Sequence, residues 1–136
     1  MQVSLDAGDV LAIHQVLSLY GHLIDDRELS RLGEVFADDA TFDLTDFGEG
    51  ISRGLREIQE LMRDREHPIA HHATNVVVSE DRDDMPLVVS KGLGVGARGR
   101  VGSIVYRDRF RRTAKGWRIS ERAAFLRRPD DIPAPS

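Results

Sequence analysis

The sequence predicts an α+β domain: a cone-shaped, curved antiparallel sheet packed against three N-terminal helices. Three observations carry this expectation. Up to about residue 65 the apolar residues recur at steps of three or four, and from residue 70 onward they alternate at a period of two. The C-terminal half is punctuated by the turn signals "EDRDD" and "TAKG" and by glycines at 92, 94, 96, 99 and 102. At 136 residues the chain has the length of one ordinary domain, 1–136, with an irregular proline-bearing tail over 129–136.

Residues 6 to 24 place Val10, Ile13, Leu17, Tyr20 and Ile24 on one helical face, with Asp6 as N-cap. After the acidic link Asp25-Asp26, "RELSRLGEVFA" forms a second amphipathic segment with Leu29, Leu32, Val35 and Phe36 on one side. Alternation from Ala40 to Leu44 predicts a short strand, "TDFGEGISRG" a turn, and residues 54 to 65 a third helix. Four strand candidates follow: "HHATNVVVS", "MPLVVSKGLGVGA", "RVGSIVYRDRFRRT" and "GWRISERAAFLR". Their glycines lack the strand-to-helix context of a phosphate loop and suit bends or bulges in a curved sheet. Helices on one face of such a sheet leave a concavity, where ligands bind by preference.

Composition excludes several classes. No apolar stretch approaches the ~20 residues that span a bilayer, and the N-terminus shows neither the basic nor the apolar region of a secretion signal, so a cytoplasmic protein is expected. With no cysteine there are no disulfides, thiolate nucleophiles or cysteine-ligated metals. A net charge of -4 argues against nucleic-acid binding. The arginine-rich "RDRFRRTAKGWRISER" falls on strand and turn and is expected to be a solvated outer sheet face.

Chemistry concentrates in "HPIAHHATN", residues 67 to 75. A strand sends His71 and His72 to opposite faces, so only one looks into a core or pocket. Facing inward, His72 would share its side with Thr74, Val76 and Val78, leaving His71 outside with Ala73 and Asn75; a bulge would reverse this. His67, His71 and His72 do not share one strand face, which disfavours a metal site. Asp25 has two readings. With Glu28 three residues on it forms a capping-box pattern, and with Tyr20 five residues before it, it can overhang a cavity, where a carboxylate orients a histidine. Arg122 alternates with Arg118 and Ser120, and a cross-strand ion pair with Asp108 is its ordinary role.

The order "Y-x(4)-D", "L-x(2)-L-x(3)-FADDA", "G-x(3)-I", "HH-x(2)-N" and "Y-x-D-x-F…GWRI-x(2)-R" resembles the nuclear transport factor two-like superfamily, specifically its SnoaL-like branch, over residues 6 to 128. Scytalone dehydratase, bile acid dehydratase, ketosteroid isomerase and ring-hydroxylating dioxygenase small subunits are of this kind. The resemblance implies a deep apolar pocket, a homodimer formed through the sheet, no cofactor, and a hydrophobic, polycyclic carbonyl substrate. It places the dehydratase tyrosine and aspartate on Tyr20 and Asp25 and the strand histidine on His72. Tyr106, Asp108 and Arg122 fall where other branches contact substrate, although a second strand histidine of scytalone dehydratase has no counterpart here. The expected function is a lyase (dehydratase) or isomerase; the alternative is a non-catalytic binding module or a dioxygenase small-subunit-like protein. A catalytic site brings the Asp25 carboxylate within about 2.6–3.2 Å of the His72 ring; an Asp25 that merely caps the second helix favours the module.

Overall fold

The computed structural model describes residues 4–82 and 84–136; residues 1–3, which begin the stretch read for a secretion signal, lie outside it, as does residue 83. Helix α1, Ala7–Asp25, is capped as its sequence implies: the Asp6 side chain accepts from the Asp9 amide and Asp9 returns the bond. Its apolar stripe of Ile13, Leu17, Tyr20, Leu23 and Ile24 is buried in the core. The expected second helix is a six-residue 3₁₀ turn, Leu29–Glu34, with no side-chain cap. Leu32 is its buried residue, while Phe36 already belongs to strand β1, Phe36–Asp43. The apolar spacing therefore marked burial correctly but not the element, since Val35 is covered in the turn that ends the 3₁₀ segment and Phe36 in the strand that follows. A short strand β2, Ile51–Arg53, lies inside the stretch expected to be turn, pairing with β1. Helix α2, Leu55–Asp64, follows and buries Ile58 and Met62.

Strands β3 (Ala70–Ser79), β4 (Leu87–Val95), β5 (Val101–Thr113) and β6 (Gly116–Leu126) form consecutive antiparallel pairs. The sheet order is β2-β1-β6-β5-β4-β3. Because β1 lies parallel to β6, the sheet is mixed rather than wholly antiparallel; α2 and four strands, β2 to β5, intervene between the two, long enough a crossover for parallel pairing. The tail after β6 holds one 3₁₀ turn, Pro129–Asp131.

Two bulges decide which side chains face the helices. In β3, Thr74 pairs with Lys91 and Val77 with Val89, so Asn75 and Val76 oppose Ser90 alone, and Asn75 takes a φ of 55°. His71 and Ala73 on one side of the bulge, and Val76 and Val78 on the other, are thereby the less exposed residues, while His72 and Thr74 are exposed. The facing expected for "HHATN" is reversed. In β6, Arg109 pairs with Glu121 and Phe110 with Ile119, leaving Ser120 as the extra residue. Ile119 and Arg122 are both buried as a result, and Arg122 does not share a face with Arg118 and Ser120.

The α1–β3 contact is tight at one point. A Cβ built on Gly21 would lie 2.8 Å from the backbone oxygen of His71. Neither partner can swing away as a side-chain end could, so helix or strand must move. Gly21→Ala is expected to lower stability by about 1–3 kcal/mol in urea unfolding; an unchanged midpoint would show that the contact is loose.

Candidate functional site

Asp25 ends α1 and its carboxylate crosses to β3. One oxygen accepts from the His71 backbone N–H at 3.0 Å; the other lies 2.6 Å from His71 Nδ1. A carboxylate only accepts, so Nδ1 carries the hydrogen and a neutral His71 keeps its lone pair on Nε2. Both side chains are mostly sheltered, at 15% and 23% exposure for His71 and Asp25. Asp25 is not the cap of the second segment: the N-cap there is Glu28, without a side-chain bond. Asp25 was thus legible as a histidine-orienting carboxylate, but its partner is His71 and not His72. His72, although among the residues around the cavity, is exposed.

His71, and not Asp25, lines a cavity of about 510 Å³ with a largely apolar wall that includes Leu17, Phe42, Leu44, Met62, Ile104 and Ala124. Two of the glycines in β4 make room along it. A Cβ on Gly92 would meet the Tyr106 ring at 2.6 Å, and one on Gly94 would meet Pro68 at 2.9 Å. Tyr106 and Pro68 both line the cavity.

Arg122 also lines it, at 2% exposure. Its Nε and Nη2 donate to the two Asp108 oxygens at 2.8 and 3.0 Å, so the ordinary cross-strand pair forms, but fully buried. The guanidinium carbon sits 3.8 Å from the Tyr106 ring centroid and 4.5 Å from that of Tyr20. Nη1 is buried and has no protein partner. Burial opposes the charge, and the Asp108 carboxylate more than offsets it, raising the guanidinium further above its ordinary value. Asp108 supports Arg122 and is not itself a wall residue, whereas Tyr106 and Arg122 are. Tyr20 is a wall residue too, with its hydroxyl donating to Met62 Sδ at 3.8 Å. Burial pushes the phenols of both tyrosines up, so each stays a neutral donor.

His67, weighed from sequence only as a metal ligand, joins the same wall. Its ring packs edge-on against His71 with centroids 5.6 Å apart, and Nε2 is 3.1 Å from the Met62 carbonyl. Burial, then the neighbouring His71, lowers its pKa to about 4. Among the described residues no three His, Asp or Glu side chains are grouped as metal ligands. The signal for His67 was its place in the histidine cluster; nothing in the spacing indicated that its ring turns back to α2.

The His67 shift has a consequence for stability. An unfolded chain protonates this imidazole below about 6.5 and the folded one only below about 4, so between these values the unfolded state binds more protons. Stability from this group is complete above the upper value and is lost as pH falls toward the lower. The urea midpoint should drop more between pH 7 and pH 4.5 for the wild type than for His67→Gln; equal drops would remove the assignment.

A comparison with curated proteins gives no significant sequence match. Solved structures do match. A presumptive aromatic ring hydroxylase from Novosphingobium aromaticivorans is 29% identical, covering 93% of this chain and 94% of the other at a TM-score of 0.77. An NTF2-like protein with a cystatin-like fold from the same species is 21% identical over 88% and 82%, TM-score 0.75. The hexachlorocyclohexane dehydrochlorinase LinA-type3 from Novosphingobium barchaimii is 17% identical over 89% and 86%, TM-score 0.68. The last two likenesses are likenesses of fold, and they agree with the α+β, cystatin-like architecture described above. The family model for the SnoaL-like domain matches residues 6–123, most of the chain, and the chain belongs to that SnoaL-like family.

Proposed function

We propose that this protein is a lyase (dehydratase) or isomerase that needs no cofactor and processes a hydrophobic, polycyclic carbonyl compound, with Asp25 and His71 as its acid–base pair. The observation that carries this is the 2.6 Å contact between Asp25 and His71 Nδ1 beside an apolar cavity. His71 Nε2 takes a proton from the carbon α to the carbonyl, and the C–H electron pair moves onto the oxygen as an enolate. The unpartnered Nη1 of Arg122 is the donor for that oxygen, assisted by Tyr20 if its hydroxyl leaves Met62. In a dehydration the enolate then collapses, the β C–O bond breaks, and the proton on His71 leaves with the hydroxide as water. In an isomerisation the same proton returns at a different carbon.

The structural neighbour named as a dehydrochlorinase performs, by that name, an elimination, which supports base-initiated chemistry in this cavity. The neighbour named as an aromatic ring hydroxylase supports a second reading, a small-subunit-like or binding role without chemistry of its own. A hydrogen-bonded dyad at a pocket wall favours the first. No helix among the described residues is long and apolar enough to cross a membrane; we place the protein in the cytoplasm, with the arginine-bearing outer sheet face covered by a second copy.

Proton abstraction is measurable without the natural substrate, as deuterium exchange into the α position of α-tetralone. A base contributes about 10²–10⁴ in rate, so His71→Ala should lower exchange at least a hundredfold while His72→Ala retains it. Wild-type protein no faster than buffer, or full activity in His71→Ala, would turn the assignment to the binding module. Light scattering at micromolar concentration should give twice the chain mass; a monomer would remove the dimer.

A further inference from the structure

Helix α1 ends on a residue that does not suit its position. The Arg27 N–H donates to the Ile24 carbonyl at 3.2 Å and the Glu28 N–H to the Leu23 carbonyl at 2.9 Å, the paired bonds of a Schellman turn in which Arg27 is the first residue past the cap. That residue takes a left-handed backbone, here with φ 58°, which glycine adopts freely and a residue with a Cβ adopts at a cost. The side chain accounts for the exception. Arg27 Nη1 donates to the Met62 carbonyl at 2.9 Å and Nη2 to the Arg63 carbonyl at 3.0 Å. Both carbonyls belong to the last turn of α2, where they lack helical partners and attract a cation. One side chain thus joins the C-terminal ends of two helices.

Each of those ends carries part of the site. Asp25 stands two residues before Arg27 and holds both the amide and the ring of His71. The Met62 sulfur accepts from Tyr20, and the Met62 carbonyl, besides taking Arg27, lies 3.1 Å from Nε2 of His67, whose ring packs against that of His71. The contacts close a circuit: Asp25 to His71, His71 to His67, His67 to Met62, and Met62 through Arg27 back to the end of α1. Arg27 is itself exposed and is not a wall residue, so whatever it does for the site it does through the others.

We infer that Arg27 is a positioning residue for the Asp25–His71 pair: by fixing the end of α1 against the end of α2, it sets how the Asp25 carboxylate meets His71 on one side and how the His67 ring meets it on the other. A hydrogen bond between carboxylate and imidazole is directional, so a small shift of the helix end changes the aim of Nε2 as well as the length of the contact. Glycine in the same place would end α1 without strain and leave the two helix ends to find their own spacing. Ending the helix and tying it are therefore separable.

This deepens the proposed function and rests on the same pair, but its first test reads the pair without turnover. Arg27→Gly and Arg27→Asn both suit the left-handed position and cannot reach α2, so the urea midpoint should stay close to that of the wild type. Hydrogen exchange at the His71 amide, whose acceptor is Asp25, should nevertheless quicken about tenfold or more, with the amides of β5 unchanged. The imidazole N–H of His71, strongly downfield while Asp25 holds it, should move upfield. In Arg27→Lys, which offers one ammonium to the two carbonyls, both changes should be smaller. Wild-type His71 signals in Arg27→Gly and Arg27→Asn overturn the inference, as does exchange that quickens equally in β5, which marks a structural role alone. Deuterium exchange into α-tetralone should lose at least about tenfold in kcat with KM within about twofold, because a misaimed base costs rate rather than binding. Wild-type protein that leaves α-tetralone unexchanged while the His71 signals shift sinks the proposed reaction and leaves the tie standing; exchange by the wild type with undisturbed His71 signals in both variants does the reverse.

Discussion

A buried guanidinium holds this fold together. Arg122 and Asp108 are 1% and 0% exposed at their side chains, and taking two such charges out of water costs several kcal/mol each unless geometry compensates. Here it does so twice. The pair is bidentate, and the remaining faces of the guanidinium are covered by the rings of Tyr20, Tyr106 and, at 6.0 Å, Phe42. Those residues come from α1, β5 and β1, and Arg122 itself from β6. One cation therefore ties the helix layer to three strands. Removing Asp108 alone would strand a naked charge in the core, a loss of about 3–5 kcal/mol, so the pair is a commitment that the rest of the packing must respect.

What could be read from the chain follows a physical line. Burial periodicity identified α1 and α2, the four long strands and the apolar stripe from Ile13 to Ile24, because 3.6 and 2 are properties of many residues at once. Elements of three to six residues escaped it. Leu29 and Leu32 are equally compatible with a 3₁₀ turn and with an α-helix, and Ile51–Arg53 is too short to show alternation. The resemblance to the SnoaL-like branch pointed to Asp25 as a histidine's partner, but whether that histidine would be His71 or His72 depended on parity. Parity is set by a single inserted residue. An extra residue at Asn75 or Ser120 changes neither composition nor hydrophobic content, yet it reverses every side chain beyond it. Asn75 carried a faint signal, since asparagine tolerates the positive φ it adopts. Ser120 carried none; only the buried Ile119 and Arg122, three apart, reveal the shift.

The two bulges also explain why the site sits where it does. Counting back inward-facing positions from Val78 along an unbroken strand brings His72 to the cavity and turns His71 away. With the bulge, the residue facing α1 is the one whose backbone oxygen lies against Gly21 and whose amide reaches Asp25. Asp25 grips both the amide and the ring of the same residue, which fixes ring orientation as well as tautomer. In β6 the bulge aims Arg122 inward to meet Asp108 from the adjacent strand. Each half of the polar apparatus is thus placed by a local departure from regular pairing, in a sheet that otherwise buries apolar residues.

These two halves answer the electrostatic demand of the proposed reaction. Abstracting a proton from a neutral ketone creates two charges beside a largely apolar wall, an imidazolium and an enolate. The imidazolium forms 2.6 Å from a carboxylate that is already there, and the enolate forms facing a cation already held in place by Asp108. No dipole has to reorient during the step, because Asp25 and Arg122 are both locked by their own hydrogen bonds before substrate arrives. The Asp108 carboxylate has a further effect. By pairing with Arg122 through Nε and Nη2 it prevents an unpaired buried cation in the core, while leaving Nη1 outside the pair. The site thus keeps a strong donor for developing negative charge without bearing the full cost of an isolated charge in the core.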